Sequence, residues 1–247
     1  MSKRSLIKST GIISAATALS RILGFVRDIM FASFFGTGIA ARAFVVAFRI
    51  PNTLRDLAGE GAMNAAIVPV LSEYRTMKDE KEFALAARVL FNISFAVLSV
   101  LTVIGIVFSP LIVRVMAPGF AADPGKLALT ITLNRVMFPY LILIGLTAYS
   151  MGVLNAMNHF AAPAFGPAIM NIAMIGSFFL CPKYGVMGLA AGVLVGGLLQ
   201  LLVNIPAMYR NGVHLDLRDG FRNPAVKRIG TSRVNRLPGH VPVKRRL

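Results

Sequence analysis

Acids and cysteines are scarce in this sequence, and each shortage excludes something. The single cysteine, Cys181, rules out an internal disulfide and any multi-cysteine metal site, and it reads as a small apolar residue near a helix end. Only ten acids occur in 247 residues, against 26 Lys and Arg. Seven of them, Glu73, Asp79, Glu80, Glu82, Asp123, Asp216 and Asp219, fall in connecting segments. No pair of carboxylates therefore shares a helix face in the manner of a membrane phosphotransferase metal site. The three histidines, His159, His214 and His240, are scattered and read as solvated rather than metal-bound. There is no Gly-rich phosphate loop after a strand and no nucleophile elbow. Enzyme chemistry finds no support, and no cofactor or metal is implied; movement of a substrate fits better.

What is abundant is apolar. Hydrophobic residues make up 56% of the chain and the mean hydropathy is +0.70, beyond the roughly 45–50% apolar usage of soluble domains. Long apolar runs recur along most of the length, which predicts an all-α, polytopic membrane protein. The first run is too long for a cleaved signal peptide and carries Arg21 and Arg27. A transmembrane β-barrel would need alternating strands of about ten residues, and these runs are longer and unbroken. The net charge of +16 would suggest nucleic acid in a soluble protein. Here the cations gather at the N-terminus, in one loop and in the last segment, so orientation and anionic lipid headgroups explain them and no nucleic acid is expected.

Six spans are predicted, at roughly 9–35, 39–70, 88–116, 127–155, 163–182 and 185–208. Each holds about 20 or more mostly apolar residues, enough to cross a core of about 30 Å at 1.5 Å per residue. Pro51, Gly59 and Gly61 interrupt the second, a pattern expected of a kinked or broken helix lining a cavity. Pro163 and Pro167 mark a loop-to-helix boundary, and Gly192 and Gly196 allow close helix approach in the sixth span. Lys3, Arg4 and Lys8, the loop cations Arg75, Lys78, Lys81 and Arg88, and the cluster from Arg210 onward all fall on one side. The positive-inside rule puts that side, and both termini, in the cytoplasm. Residues 1–210 then form a six-helix lobe. Residues 211–247, with nine Lys and Arg against two acids, form a basic segment without apolar periodicity, expected to be disordered on anionic lipid.

The charges inside the first two spans are the functional signal. Arg21, Arg27, Arg49 and Arg55 have only Asp28, Asp56 and Glu60 near them in sequence. An ionised group at mid-membrane depth costs several kcal/mol at least, so it usually faces a partner or an aqueous cavity. On a helical wheel Arg21 and Asp28, seven residues apart, share a face, while Arg27 lies about 120° away. One reading pairs the arginines with the nearby acids or uses them as helix caps, and Arg49 in particular reads as structural. The other makes a cationic cavity for a phosphate-bearing substrate, because the planar guanidinium fork binds phosphate bidentately and keeps its charge.

The segments LSRILGFVRD (19–28), FRIPNTLRDLAGEGAMNAAIVP (48–69), APGF (117–120), FPY (138–140) and NHFAAPAFGPAIMNIAMIG (158–176) together resemble the MurJ (MviN) family of bacterial lipid II flippases, in order, from about residue 8 to residue 230. The resemblance implies an inner-membrane transporter of two six-helix lobes plus two further helices. It would carry lipid II, the undecaprenyl-diphosphate-linked peptidoglycan precursor, from the cytoplasmic to the periplasmic leaflet by alternating access. It also implies that Arg21, Arg27 and Arg55 bind the substrate, with Asp28 and Glu60 as orienting partners. Arg42 stands where family members often carry an acid, so no role is transferred to it. After about residue 230 the family continues with another apolar helix, whereas SRVNRLPGHVPVKRRL is polar and basic. This departure suggests a frameshifted or truncated product, or else a genuine short form, in which the C-terminal lobe needed for transport is missing.

Two other readings stay open: export of a different polyprenyl-linked glycan or a soluble anion, and a non-transporting membrane fragment. Alternating access requires two bundles rocking about one site. These 247 residues expressed alone are therefore expected not to restore growth of a flippase-depleted strain; full growth in that complementation test would overturn the expectation.

Overall fold

A computed structural model describes residues 3–55, 71, 80–157 and 159–213, and every regular element among them is helical. The first helix, α1 (Lys3–Phe35), runs 33 residues, about 50 Å at the α-helical rise. A left-handed turn at Gly36 (φ +52°) leads into α2 (Ile39–Arg55). The middle of the chain forms α3 (Glu80–Val107), α4 (Ser109–Met116), α5 (Pro124–Met137) and α6 (Tyr140–Ala156), with a 3₁₀ turn at Pro118–Phe120. The last part forms α7 (Ala161–Ala164), α8 (Gly166–Ser177), a 3₁₀ turn at Phe178–Leu180, α9 (Cys181–Tyr184) and α10 (Val186–Arg210).

Four stretches among the described residues are long and apolar enough to cross a membrane: Glu82–Val107, Pro124–Ala156, Ala161–Tyr184 and Val186–Arg210. They overlap the third to sixth spans expected from sequence, the third shifted to 82–107 from the expected 88–116. The first two expected spans are helical where described, but α1 falls short of that apolarity and the described part of α2 falls short of that length. Arg21, Arg27 and Asp28 dilute α1, and Arg42, Arg49, Asn52 and Arg55 dilute the 17 residues of α2. The helix of α2 continues through Pro51 without a break. Thr53 Oγ1 donates to the Arg49 carbonyl at 2.9 Å, the kind of side-chain bond that accompanies bent helices. Gly59 and Gly61 lie outside the described residues, as does the basic segment beyond Val213.

Among the described residues three expected spans, the third, fourth and fifth, are interrupted helices, and in the third and fourth proline is the reason. The span over 88–116 ends at Val107 and restarts at Ser109 about the pivot Phe108, because Pro110 has no N–H to continue the ladder. The span over 127–155 begins at Pro124, where the Asp123 carboxylate accepts the Lys126 N–H at 3.0 Å as an N-cap. It then breaks at Phe138–Pro139, where a tight bond from Ile142 N–H to the Pro139 carbonyl (3.1 Å) replaces the regular ladder.

Packing follows the small residues. α10 lies against α8 and α6, α2 against α5, α1 against α8, and α3 against α6. A Cβ added at Gly192 would stand 2.3 Å from Ser177 Oγ, and one at Gly196 would stand 2.5 Å from Met170 Sδ, so the predicted close approach is the α8–α10 contact. The Phe138 ring occupies the space beside Gly105, where a Cβ would come within 1.9 Å of it, and Leu98 fills the space beside Gly145. Buried polar groups are tied across helices: the Tyr149 hydroxyl donates to the Ala87 carbonyl, and Asn134 Nδ2 donates to Ser109 Oγ at 2.6 Å. In hydrocarbon such groups have no solvent to fall back on.

Gly192→Leu is expected to wedge α8 from α10 and destabilise the fold by about 1–3 kcal/mol or more, the usual penalty of overpacking. Gly176→Ala, on the open side of α8 with nothing within 4 Å, is expected to be neutral. Thermal unfolding in detergent, with the Tm of the two variants compared, checks this.

Candidate functional site

Because α1 packs chiefly on α8 and α2 chiefly on α5, the first two helices part beyond their connecting turn. The gap is a cavity of about 560 Å³, within the usual size range of small-ligand sites. Its α1 wall is Arg27, Asp28 and Phe31; its α2 wall is Phe44, Val45, Phe48, Arg49, Asn52 and Thr53; Met174 and Phe178 close the back. The α2 residues recur at spacings of three and four, which places them on one helical face.

The apolar side of the cavity is an aromatic sheet. Phe31 and Phe44 lie 5.6 Å apart, Phe44 stacks on Phe48 at 5.7 Å, and Phe48 meets Tyr140 at 6.0 Å. Above it sit two guanidinium groups. Arg27 is held from three directions: Nε and Nη2 donate to Asp28 Oδ1 at 3.0 and 2.8 Å, and Nη1 donates to Asn171 Oδ1 at 2.9 Å. Asn171, buried on α8, in turn donates its Nδ2 to the Ser20 carbonyl at 2.9 Å and lies 3.5 Å from the Ser20 hydroxyl. One amide thus spans two turns of α1 and fixes the guanidinium. Arg49 is exposed on the facing helix and makes no ion pair among the described residues. The described wall therefore carries two positive charges and one negative, with the carboxylate already engaged.

The sequence-predicted residues separate. Arg27 and Asp28 are together in the wall. The Arg21–Asp28 stripe is real, but its two turns amount to about 10.5 Å along the axis, and Asp28 bonds its neighbour Arg27 instead. Arg21 is exposed and is not part of the wall. Arg55 closes α2 and its side chain lies outside the described features; Glu60 lies outside the described residues. Arg49, which sequence alone assigns to structural duty, faces the cavity. Asn171 was not singled out, although an amide in the middle of the apolar run PAIMNIAMIG is itself a signal of a polar partner across the interface.

Hydrogen bonds to a charged group typically contribute about 1.5–3 kcal/mol. Asn171→Ala is expected to lower stability by an amount in that range, and its effect is expected to vanish in an Arg27→Ala background. A double-mutant cycle on thermal unfolding measures the coupling; additive effects would show that the two side chains do not act together.

Comparison with known proteins identifies the family of the chain. The family described as Lipid II flippase MurJ matches residues 31–236. The chain is 42% identical over 211 residues to the probable lipid II flippase MurJ of Buchnera aphidicola subsp. Acyrthosiphon pisum, covering 83% of this chain and 41% of that protein. It is 37% identical over 224 residues to the lipid II flippase MurJ of Burkholderia cenocepacia, covering 88% and 43%. A solved structure of lipid II flippase MurJ in an inward closed conformation superposes with a TM-score of 0.70 at 30% identity, covering 89% of this chain and 46% of that one. The chain thus spans a little under half the length of the relatives it matches. By family match, by identity and by fold, it belongs to the MurJ lipid II flippase family, multi-pass membrane transporters rather than enzymes.

Proposed function

We infer that the chain forms a substrate-binding lobe of a lipid II flippase, which moves the undecaprenyl-diphosphate-linked precursor from the cytoplasmic to the periplasmic leaflet of the inner membrane. The observation that carries this reading is the pair Arg27 and Arg49 on one aromatic-floored cavity with a single, already bonded carboxylate. Two guanidinium forks suit a diphosphate, each able to take two oxygens of one phosphate. The apolar floor suits the ring faces of an attached sugar.

On this reading Arg21, Arg27 and Arg55 contact the headgroup, Arg49 joins them, and Asp28 and Glu60 orient them. Asp28 holds the Arg27 fork in place while the cavity is empty of phosphate and competes with the ligand for its Nε and Nη2 donors. The lobe has six spans with both termini cytoplasmic, and its basic N-terminus and the segment 211–247 lie on anionic lipid. Alternating access draws on a second bundle, supplied by the part of the family's length that this chain does not match.

In a full-length protein carrying this lobe, Arg27→Ala and Arg49→Ala are each expected to reduce lipid transport at least about tenfold, the loss of one charge-assisted contact, while membrane insertion stays intact. Arg21→Ala and Arg55→Ala are expected to act in the same direction. Complementation of a flippase-depleted strain, with membrane levels measured in parallel, reads this. Normal growth with all four variants would return the arginines to a purely structural role.

A further inference from the structure

A second hollow, of about 500 Å³, opens where the α1–α2 turn meets the Pro118–Phe120 turn. Phe31, Thr37, Arg42, Val45, Val46 and Phe120 form most of its wall. Phe31 and Val45 also line the Arg27–Arg49 cavity, so the two hollows share a partition. Arg42 and Arg49 are seven residues apart on one unbroken helix, which sets them about 20° apart around α2 and about 10.5 Å apart along it. Val45 stands between them on the same face. One face of α2 therefore presents a guanidinium, an apolar step and a second guanidinium, with a cavity at each charged position.

Arg42 is exposed, and among the described residues its guanidinium makes no hydrogen bond or ion pair. The acid that follows this turn, Asp123, is occupied as the cap of α5, accepting the Lys126 N–H. The Lys126 ammonium lies 3.5 Å from the centre of the Phe120 ring, which brings a second cation to the same rim. The hollow is thus positive at its edge and apolar within. A phosphate on an apolar stem fits that division, with the head on the Arg42 fork and the stem against Phe31, Val45 and Val46.

We propose that Arg42 forms a second phosphate station, which takes the diphosphate head of a lipid-linked ligand at the far end of the α1–α2 gap from Arg27. The assignment rests on the cavity reading given above and extends it: the ligand passes along the charged face of α2 between two fixed sites.

The test uses the purified 247-residue chain in phosphatidylcholine nanodiscs with farnesyl diphosphate as the probe, counting bound equivalents by native mass spectrometry. The wild type is expected to bind two. Arg42→Gln and Arg42→Glu are each expected to lose one, or to weaken it at least about tenfold. Arg42→Lys is expected to retain both, since it keeps the charge, which also controls for folding. Arg49→Gln is expected to lose the other equivalent. Two equivalents bound by Arg42→Gln would overturn the second station while leaving the first cavity standing. Loss in Arg42→Gln but not in Arg49→Gln would sustain the station and overturn the first reading. A wild type that binds no probe would overturn both. Repeating the count in phosphatidylglycerol nanodiscs separates the sources: displacement of the Arg42-dependent equivalent alone would assign the site to bulk anionic lipid and overturn its role for a lipid-linked diphosphate.

Discussion

Hydrocarbon offers no hydrogen bond to a stray N–H, carbonyl or charge, and the architecture of this chain answers to that constraint at several irregular points. Helices satisfy the backbone, so what remains is a short set of exceptions. Pro110 and Pro139 interrupt two ladders, and the chain responds by closing one helix and starting another within a residue or two. Serine and threonine side chains bond back to carbonyls one turn earlier, as Ser94, Thr147 and Ser150 do. The guanidinium of Arg27 is the most demanding exception, and it donates three bonds, two to Asp28 on its own helix and one to Asn171 on α8. The gap between α1 and α2 is the space this arrangement leaves: a helix that turns its charges toward α8 and a water-accessible hollow cannot also pack closely on its sequence neighbour.

Much of the helical plan was legible in the sequence, because apolar length is a strong signal and the last three expected spans reappear within about three residues of their ends, while the third is displaced to Glu82–Val107. The breaks inside two of them were not drawn, although Pro110 and Pro139 were visible. Proline in an apolar run signals a local disturbance, but how far the chain departs from straight depends on neighbours. Here Gly105 leaves the room that the Phe138 ring takes at the break. The α8–α10 contact was legible in Gly192 and Gly196, since small residues four apart have few other uses between membrane helices.

The site was legible in part. Wheel geometry puts Arg21 and Asp28 on one stripe of α1 but leaves the partner of Asp28 open, because seven residues share azimuth but not distance, and Asp28 bonds its immediate neighbour Arg27. Arg49 reads as structural from sequence, and the structure sets it in the cavity wall for a related reason. Its depth on α2 was judged against a membrane interface, whereas its surroundings depend on which helix stands opposite, and that is set by α2 packing on α5 rather than on α1. Asn171 comes from 144 residues away from Arg27 and could not be paired with it from one sequence. The family resemblance identified the charged motifs, and the structure adds which of those charges share a wall.

The Phe138 ring bears on how this lobe can move. It is lodged beside Gly105 in space that any other side chain would occupy, and Leu98 is seated in the same way beside Gly145. Together they act as two dowels between α3 and the jointed α5–α6 rod. Dowels of this kind forbid the rod from sliding or rotating against α3 without lifting a ring out of its socket, and close-packed interiors resist that. Displacing the rod along α3 therefore means unseating the Phe138 ring and the Leu98 side chain together.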